Sequence, residues 1–129
     1  MLLQERGWQA IQSVLHNPDV DPILAGPALT EVVTVARRKG NQSTGKQIWG
    51  MLGALGVRVE FTTDDDLLRA ATLTEISQAN PGPNNETLSL GDALILSVGE
   101  RLGCLVITRD TYWGWLVSNN LIAIKIYLP

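Results

Sequence analysis

Cysteine, histidine and phenylalanine each occur once in this chain of 129 residues. A lone thiol closes no intramolecular disulfide. Cys104 lies in an apolar run, so the chain suits a reducing, cytoplasmic setting. The lone histidine, His16, sits in the turn-forming segment HNPDVDP and reads as a surface residue, which removes Ser-His-Asp and Cys-His schemes that need a histidine base. No apolar run reaches the roughly 18 residues of a membrane span. The opening MLLQERGW is too short and too acidic for a secretory signal. A net charge of −3 excludes a strongly basic nucleic-acid coat but leaves room for a local basic patch.

What is present is ordinary globular material, 45% hydrophobic and 18% charged, at the length of one domain. Trp8, Ile11, Val14 and Leu15 fall at helical spacing, which predicts a helix over 4–15 beginning almost at Met1. Ile23–Ala25 is a short strand candidate. Gly26-Pro27 then opens a helix, with Pro27 at its first position. That helix carries Val32, Val33, Val35 and Ala36 inward and ends near Gly40 on Arg37, Arg38 and Lys39, where the dipole favours cations. A helix over 42–55, a strand over 57–61 and a helix over 65–79 capped by Thr62-Thr63-Asp64 follow. The segment NPGPNNET (80–87) is a loop. After Asp110 come a short helix and a last strand within 121–128. Alternating helices and strands predict an α/β fold with a mostly parallel sheet of about four strands.

The stretch LSLGDALILSVGERLGCLVITRD (88–110) organises the rest. Its helix is apolar almost all the way round, so it is expected to be covered on most sides, and Gly103 fits the position that ends it. Cys104–Thr108 reads as a strand buried on both faces. Asp92 lies in the first turn of this helix, and Asp110 lies just past the strand, where ligands gather in parallel sheets. Glu31 lies in the first turns of the helix after Ile23–Ala25. Clustered carboxylates repel unless a cation intervenes. A hard cation such as Mg²⁺ or Mn²⁺ prefers such oxygens and can activate water against a phosphodiester.

Each residue also has a local role open to it. Ser89 and Asp92 match a capping box, Asp110 is placed to cap the helix at Thr111, and Glu31 borders an apolar face. Gly40-x₄-Gly45-Lys46 looks like a phosphate loop, but Gln47 replaces the required hydroxyl residue and a helix precedes it. Asp64-Asp65-Asp66 reads as a helix start favoured by the dipole rather than a metal site. The four tryptophans are mostly core or interface, with base stacking a lesser alternative. Arg37, Arg38, Lys39 and Lys46 concentrate the positive charge, as solvated helix ends or as phosphate contacts.

ALTEVVTVARRKG followed by LSLGDALILSVGERLGCLVITRD resembles the PIN-domain ribonucleases, and among them the VapC-type toxins of toxin–antitoxin pairs. The similarity runs along nearly the whole chain. It implies a PIN-like three-layer α/β/α fold as one domain over 1–129, and a metal-dependent endoribonuclease. Glu31, Asp92 and Asp110 match three of the family's acidic positions, the carboxylates that bind Mg²⁺ or Mn²⁺, and Thr108 matches the hydroxyl residue behind the last of them. Arg37, Arg38 and Lys46 become RNA contacts. A homodimer is implied, with a small VapB-like antitoxin laid across an apolar groove walled by helices bearing Trp8 and Trp49.

The family begins with a central strand ending in an Asp. Here residues 1–4 already look like the middle of the helix that follows, so that strand and its Asp are missing, which would leave unpaired backbone edges on its neighbours. Three explanations stay open: a start internal to a longer gene product, a degenerate inactive relative that binds an antitoxin or RNA, or a segment from elsewhere filling the gap. A receiver-like signalling domain is a third functional class, but Ile23–Ala25 ends without the phosphoacceptor Asp it would need.

Overall fold

A computed structural model describes Trp8–Pro129, with side chains from Gln12 onward. The fold is mixed α/β. The elements are α1 (Trp8–His16), β1 (Ile23–Ala25), α2 (Gly26–Arg38), α3 (Gly45–Ala54), β2 (Arg58–Glu60), α4 (Asp64–Ala79), α5 (Leu90–Leu102), β3 (Leu105–Ile107), α6 (Thr111–Ser118) and β4 (Lys125–Tyr127). They belong to two compact units that divide between Phe61 and Thr62. The expected elements form in the expected order. Positions 4–7, and the side chains of Trp8 and Ile11, lie outside the described residues.

The strands depart from expectation in one respect. All described pairings are parallel, but the strands form two separate two-stranded sheets rather than one sheet of four. In the first unit β1 pairs with β2 in the register Ile23↔Arg58, Leu24↔Val59 and Ala25↔Glu60. In the second, β3 pairs with β4 in the register Leu105↔Lys125, Val106↔Ile126 and Ile107↔Tyr127.

In the first unit α2 follows β1 directly. Ala25 is its N-cap, so Gly26 takes the first helical position and Pro27 the second. Of the expected inward residues only Ala36 is buried, while Val32, Val33 and Val35 are half-buried. Thr44 and Gln47 form a reciprocal capping box that starts α3, with Gln47 N donating to Thr44 Oγ1 at 3.2 Å and Thr44 N to Gln47 Oε1 at 2.7 Å. The Gly40–Lys46 stretch is therefore an ordinary helix entry. Trp49 and Phe61 meet edge to face, with ring centroids 6.3 Å apart.

The second unit is built on α4 packed against α5. The buried face of α4 is Asp66, Ala70, Leu73 and Ser77, one helical stripe, whereas Leu67 and Leu68 point outward. On α5 the buried residues are Ala93, Leu96, Ser97 and Val98. Leu88, Tyr112, Trp113, Leu116, Ile122 and Ile124 complete this core. Fully burying leucines such as Leu73, Leu96 and Leu116 stabilises the unit by about 1.5–3 kcal/mol each. Gly103 adopts φ 63° and closes α5 as expected. Two expectations of continuous burial fail: Leu90 on α5 is 71% exposed and Leu105 on β3 is 58% exposed. A strand with one neighbour is covered less than one inside a wide sheet.

Two ion pairs join α4 to α5. Arg69 grips Glu100 through Nε to Oε1 at 2.8 Å and Nη2 to Oε2 at 3.1 Å. Arg101 Nε donates to Asp66 Oδ1 at 2.9 Å. Asp66 also caps α4, accepting from Thr63 N at 2.9 Å. Burial alone would raise the Asp66 carboxyl, but the Arg101 guanidinium and the Thr63 amide and hydroxyl outweigh it and hold it below the ordinary value of 3.8. A depressed folded pKa stabilises above that value and is lost as pH falls through it. Replacing Asp66→Ala removes its ion pair with Arg101 and the cap, and is expected to cost about 2–4 kcal/mol. Urea unfolding at pH 7 reads that loss. Repeated toward pH 3, it shows the gap between wild type and variant narrowing.

Candidate functional site

Asp92 and Asp110 both belong to the second unit, and local chemistry fixes both. Ser89 precedes α5, and its Oγ accepts from Asp92 N at 3.1 Å, while Asp92 Oδ2 accepts from Ser89 N at 3.3 Å. The capping box is thus real, and the bond to the Ser89 amide uses one carboxylate oxygen of Asp92. Asp110 is the N-cap of α6, and its Oδ1 accepts from Tyr112 N at 3.0 Å. Thr108 stands behind it, with its Oγ1 accepting from Asp110 N at 3.0 Å. Thr108 itself is tied to β4 through its amide, which donates to Tyr127 O at 3.1 Å. Strand β3 and helix α6 thereby place Asp110 at the carboxyl end of a parallel pair, where the sequence puts it.

Burial pushes the Asp110 carboxyl above its ordinary value. The Tyr112 amide opposes that shift, and the negative charges of Asp92 and Glu86 add to it. Glu86 is a third acidic residue that sequence reasoning passed over. It sits in the 80–87 loop with no motif around it, where its Oε1 accepts from Asn84 N at 2.6 Å and its charge reaches Asp110. A turn-rich stretch with a lone Glu carries no periodicity that could have marked it.

The first unit holds the remaining candidates. Glu31 is an exposed residue of α2. Arg37 is engaged locally: Nη1 donates to Asn41 O at 3.2 Å and Nη2 to Ser43 O at 2.8 Å. It therefore holds the turn between α2 and α3. Arg38 and Lys46 are exposed, at the end of α2 and the start of α3. His16 is exposed too, as a surface histidine should be. Trp49 is 43% exposed on α3; the side chain of Trp8 lies outside the described residues.

Among the described residues, no three His, Cys, Asp or Glu side chains form a ready metal cage. The acidic side chains that act on Asp110 are oxygen donors, the ligand type a hard cation such as Mg²⁺ or Mn²⁺ prefers.

A raised carboxyl pKa destabilises the folded chain once the group ionises. As pH rises past 3.8, the ordinary value, the unfolded chain releases its proton first, and the penalty persists above the folded pKa. Asparagine caps a helix about as well as aspartate. Asp110→Asn is therefore expected to unfold at equal or slightly higher urea concentration at pH 7, a gain of at most about 1 kcal/mol for a solvent-screened group. That gain disappears below pH 3.8.

Comparison with known proteins adds no relative: no family model, no curated protein and no solved structure matches the chain.

Proposed function

We propose that this chain is a VapC-like, metal-dependent endoribonuclease of PIN type that hydrolyses RNA phosphodiester bonds in the cytoplasm. The observation that carries the reading is the placement of Asp110 at the carboxyl end of a parallel strand pair, with Thr108 Oγ1 accepting from its backbone amide at 3.0 Å; burial there pushes its carboxyl upward, and the charges of Asp92 and Glu86 add to that. A site that concentrates negative charge there is suited to Mg²⁺ or Mn²⁺. Asp92 and Asp110 of the second unit would hold the ion, and Thr108 would orient Asp110; Glu31 enters the ligand set through the family resemblance alone. The ion, when bound, supplies Lewis-acid stabilisation and a more acidic water. Arg38 and Lys46 are the exposed cations for RNA phosphates, and Arg37 shapes the turn between them. A VapB-like antitoxin and a homodimer complete the proposal, with the exposed Trp49 face of α3 as one wall. Consistent with a partner in water rather than lipid, no helix among the described residues is long and apolar enough to cross a membrane.

A second reading is favoured by a different observation. Asp92 and Asp110 each spend one carboxylate oxygen on a helix cap, and no three-carboxylate cage is assembled among the described residues. An inactive PIN-like module that binds an antitoxin or RNA needs those residues only for folding. RNA cleavage with Mn²⁺ separates the two. The nuclease reading expects cleavage that chelator abolishes and that Asp92→Asn lowers by at least about 100-fold, the scale of losing one electrostatic group at a reacting centre. No cleavage from a folded chain assigns the inactive module instead.

A further inference from the structure

The 80–88 segment has the composition of a mobile loop, with Pro81, Gly82, Pro83, Asn84 and Asn85 in succession. The structure ties it down at both ends to one pair of hydroxyls. Leu88 N donates to Ser77 Oγ at 2.8 Å. Ser77 Oγ and Tyr112 Oη lie 2.8 Å apart, and Tyr112 Oη donates to Asn80 O at 2.9 Å. Each hydroxyl has one proton. Since the Tyr112 proton goes to Asn80, the Ser77 proton must go to Tyr112. The result is a one-way chain from the Leu88 amide to the Asn80 carbonyl, buried at Ser77 and Tyr112, where hydrogen bonds reinforce one another.

Within the loop, Gly82 N donates to Glu86 O at 2.9 Å and Asn85 N to Gly82 O at 2.9 Å. Asn85 takes φ 63°, and Asn84 N donates to Glu86 Oε1 at 2.6 Å. The Tyr112 ring closes the loop from beneath. A Cβ at position 82 would lie 2.8 Å from Tyr112 Cδ1 and 2.8 Å from Glu86 Oε1, so only glycine lets loop, ring and carboxylate meet. The same Tyr112 donates its backbone N–H to Asp110. Its ring stacks on Trp115 at 5.7 Å, about one turn further along the same helix α6.

We propose that Tyr112 is a positioning residue that joins the Glu86 loop and Asp110 into one rigid body, so that this loop is a fixed wall beside Asp110 and not a moving lid. The catalytic meaning of that wall rests on the nuclease reading; the mechanical link does not. Tyr112→Phe keeps the ring under Gly82 and breaks the hydroxyl chain. Ser77→Ala breaks the Leu88 end and leaves Tyr112 on Asn80. Hydrogen exchange in the intact chain is expected to speed up by about tenfold or more at Gly82, Asn85 and the Tyr112 amide in Tyr112→Phe, and at Leu88 but not at the Tyr112 amide in Ser77→Ala, as expected when one buried hydrogen bond is lost. Manganese-dependent RNA cleavage by Tyr112→Phe is expected to fall about tenfold in kcat with KM changed less than about twofold, the signature of disturbed geometry rather than lost binding. Unchanged loop exchange in a folded Tyr112→Phe chain overturns the link itself. Faster exchange with wild-type kcat overturns its positioning role. Wild-type chain that cleaves no RNA overturns the nuclease reading alone, and exchange at the loop and Tyr112 amide then decides the link.

Discussion

The second unit depends on a hydroxyl buried where a hydrophobic side chain would be expected. Ser77 is the last residue of the inward stripe of α4, and a buried hydroxyl without partners would cost about 1–3 kcal/mol. Its partners are the first residue after the 80–87 loop and a tyrosine from α6. Satisfying Ser77 therefore fixes where α4 ends, where α5 begins and how α6 lies against both. Leu73, Leu96 and Leu116 supply the greater part of the burial energy, but apolar packing is non-directional. The hydroxyl chain selects one arrangement among those that would bury the same leucines.

The same economy marks the acidic residues. Asp66, Asp92 and Asp110 all cap helices, yet their surroundings differ. Asp66 is buried and answered by Arg101, so its charge belongs to the fold. Asp110 is pushed upward first by burial and then by the negative charges of Asp92 and Glu86, with backbone amides opposing. Asp66, the third residue of α4, and Asp110, the N-cap of α6, both serve helix starts, and what the tertiary structure brings opposite them makes Asp110 a candidate for chemistry and Asp66 a structural residue.

Much was legible locally. The signals at Thr63, Ser89, Asp110 and Gly103 act over three or four residues, and helices start and stop where they place them. Thr44 with Gln47 follows the same rule, and the missing hydroxyl at Gln47 correctly separates this entry from a phosphate loop. Less legible were the burial patterns. Leu67 and Leu68 suggest an inward face on α4, but Asp66 and Ser77 take it, because an ion pair and a hydroxyl chain recover the cost of their burial. Leu90 and Leu105 stand in apolar runs that suggest full cover, yet they lie at an element start and on a strand with one neighbour, where little packs over them.

The sequence by itself determined the elements, their order, their caps and the parallel sense of the strands, since each follows from chemistry a few residues wide. The tertiary structure alone decided that, among the described residues, β1 pairs with β2 and β3 with β4, that Arg101 answers Asp66, that Ser77 meets Tyr112 and that Glu86 acts on Asp110. The ties at Asp66 and Ser77 each span 35 positions, and the glutamate rides on a loop without periodicity. Pairing at such separations depends on how whole helices pack, which no short pattern of residues encodes.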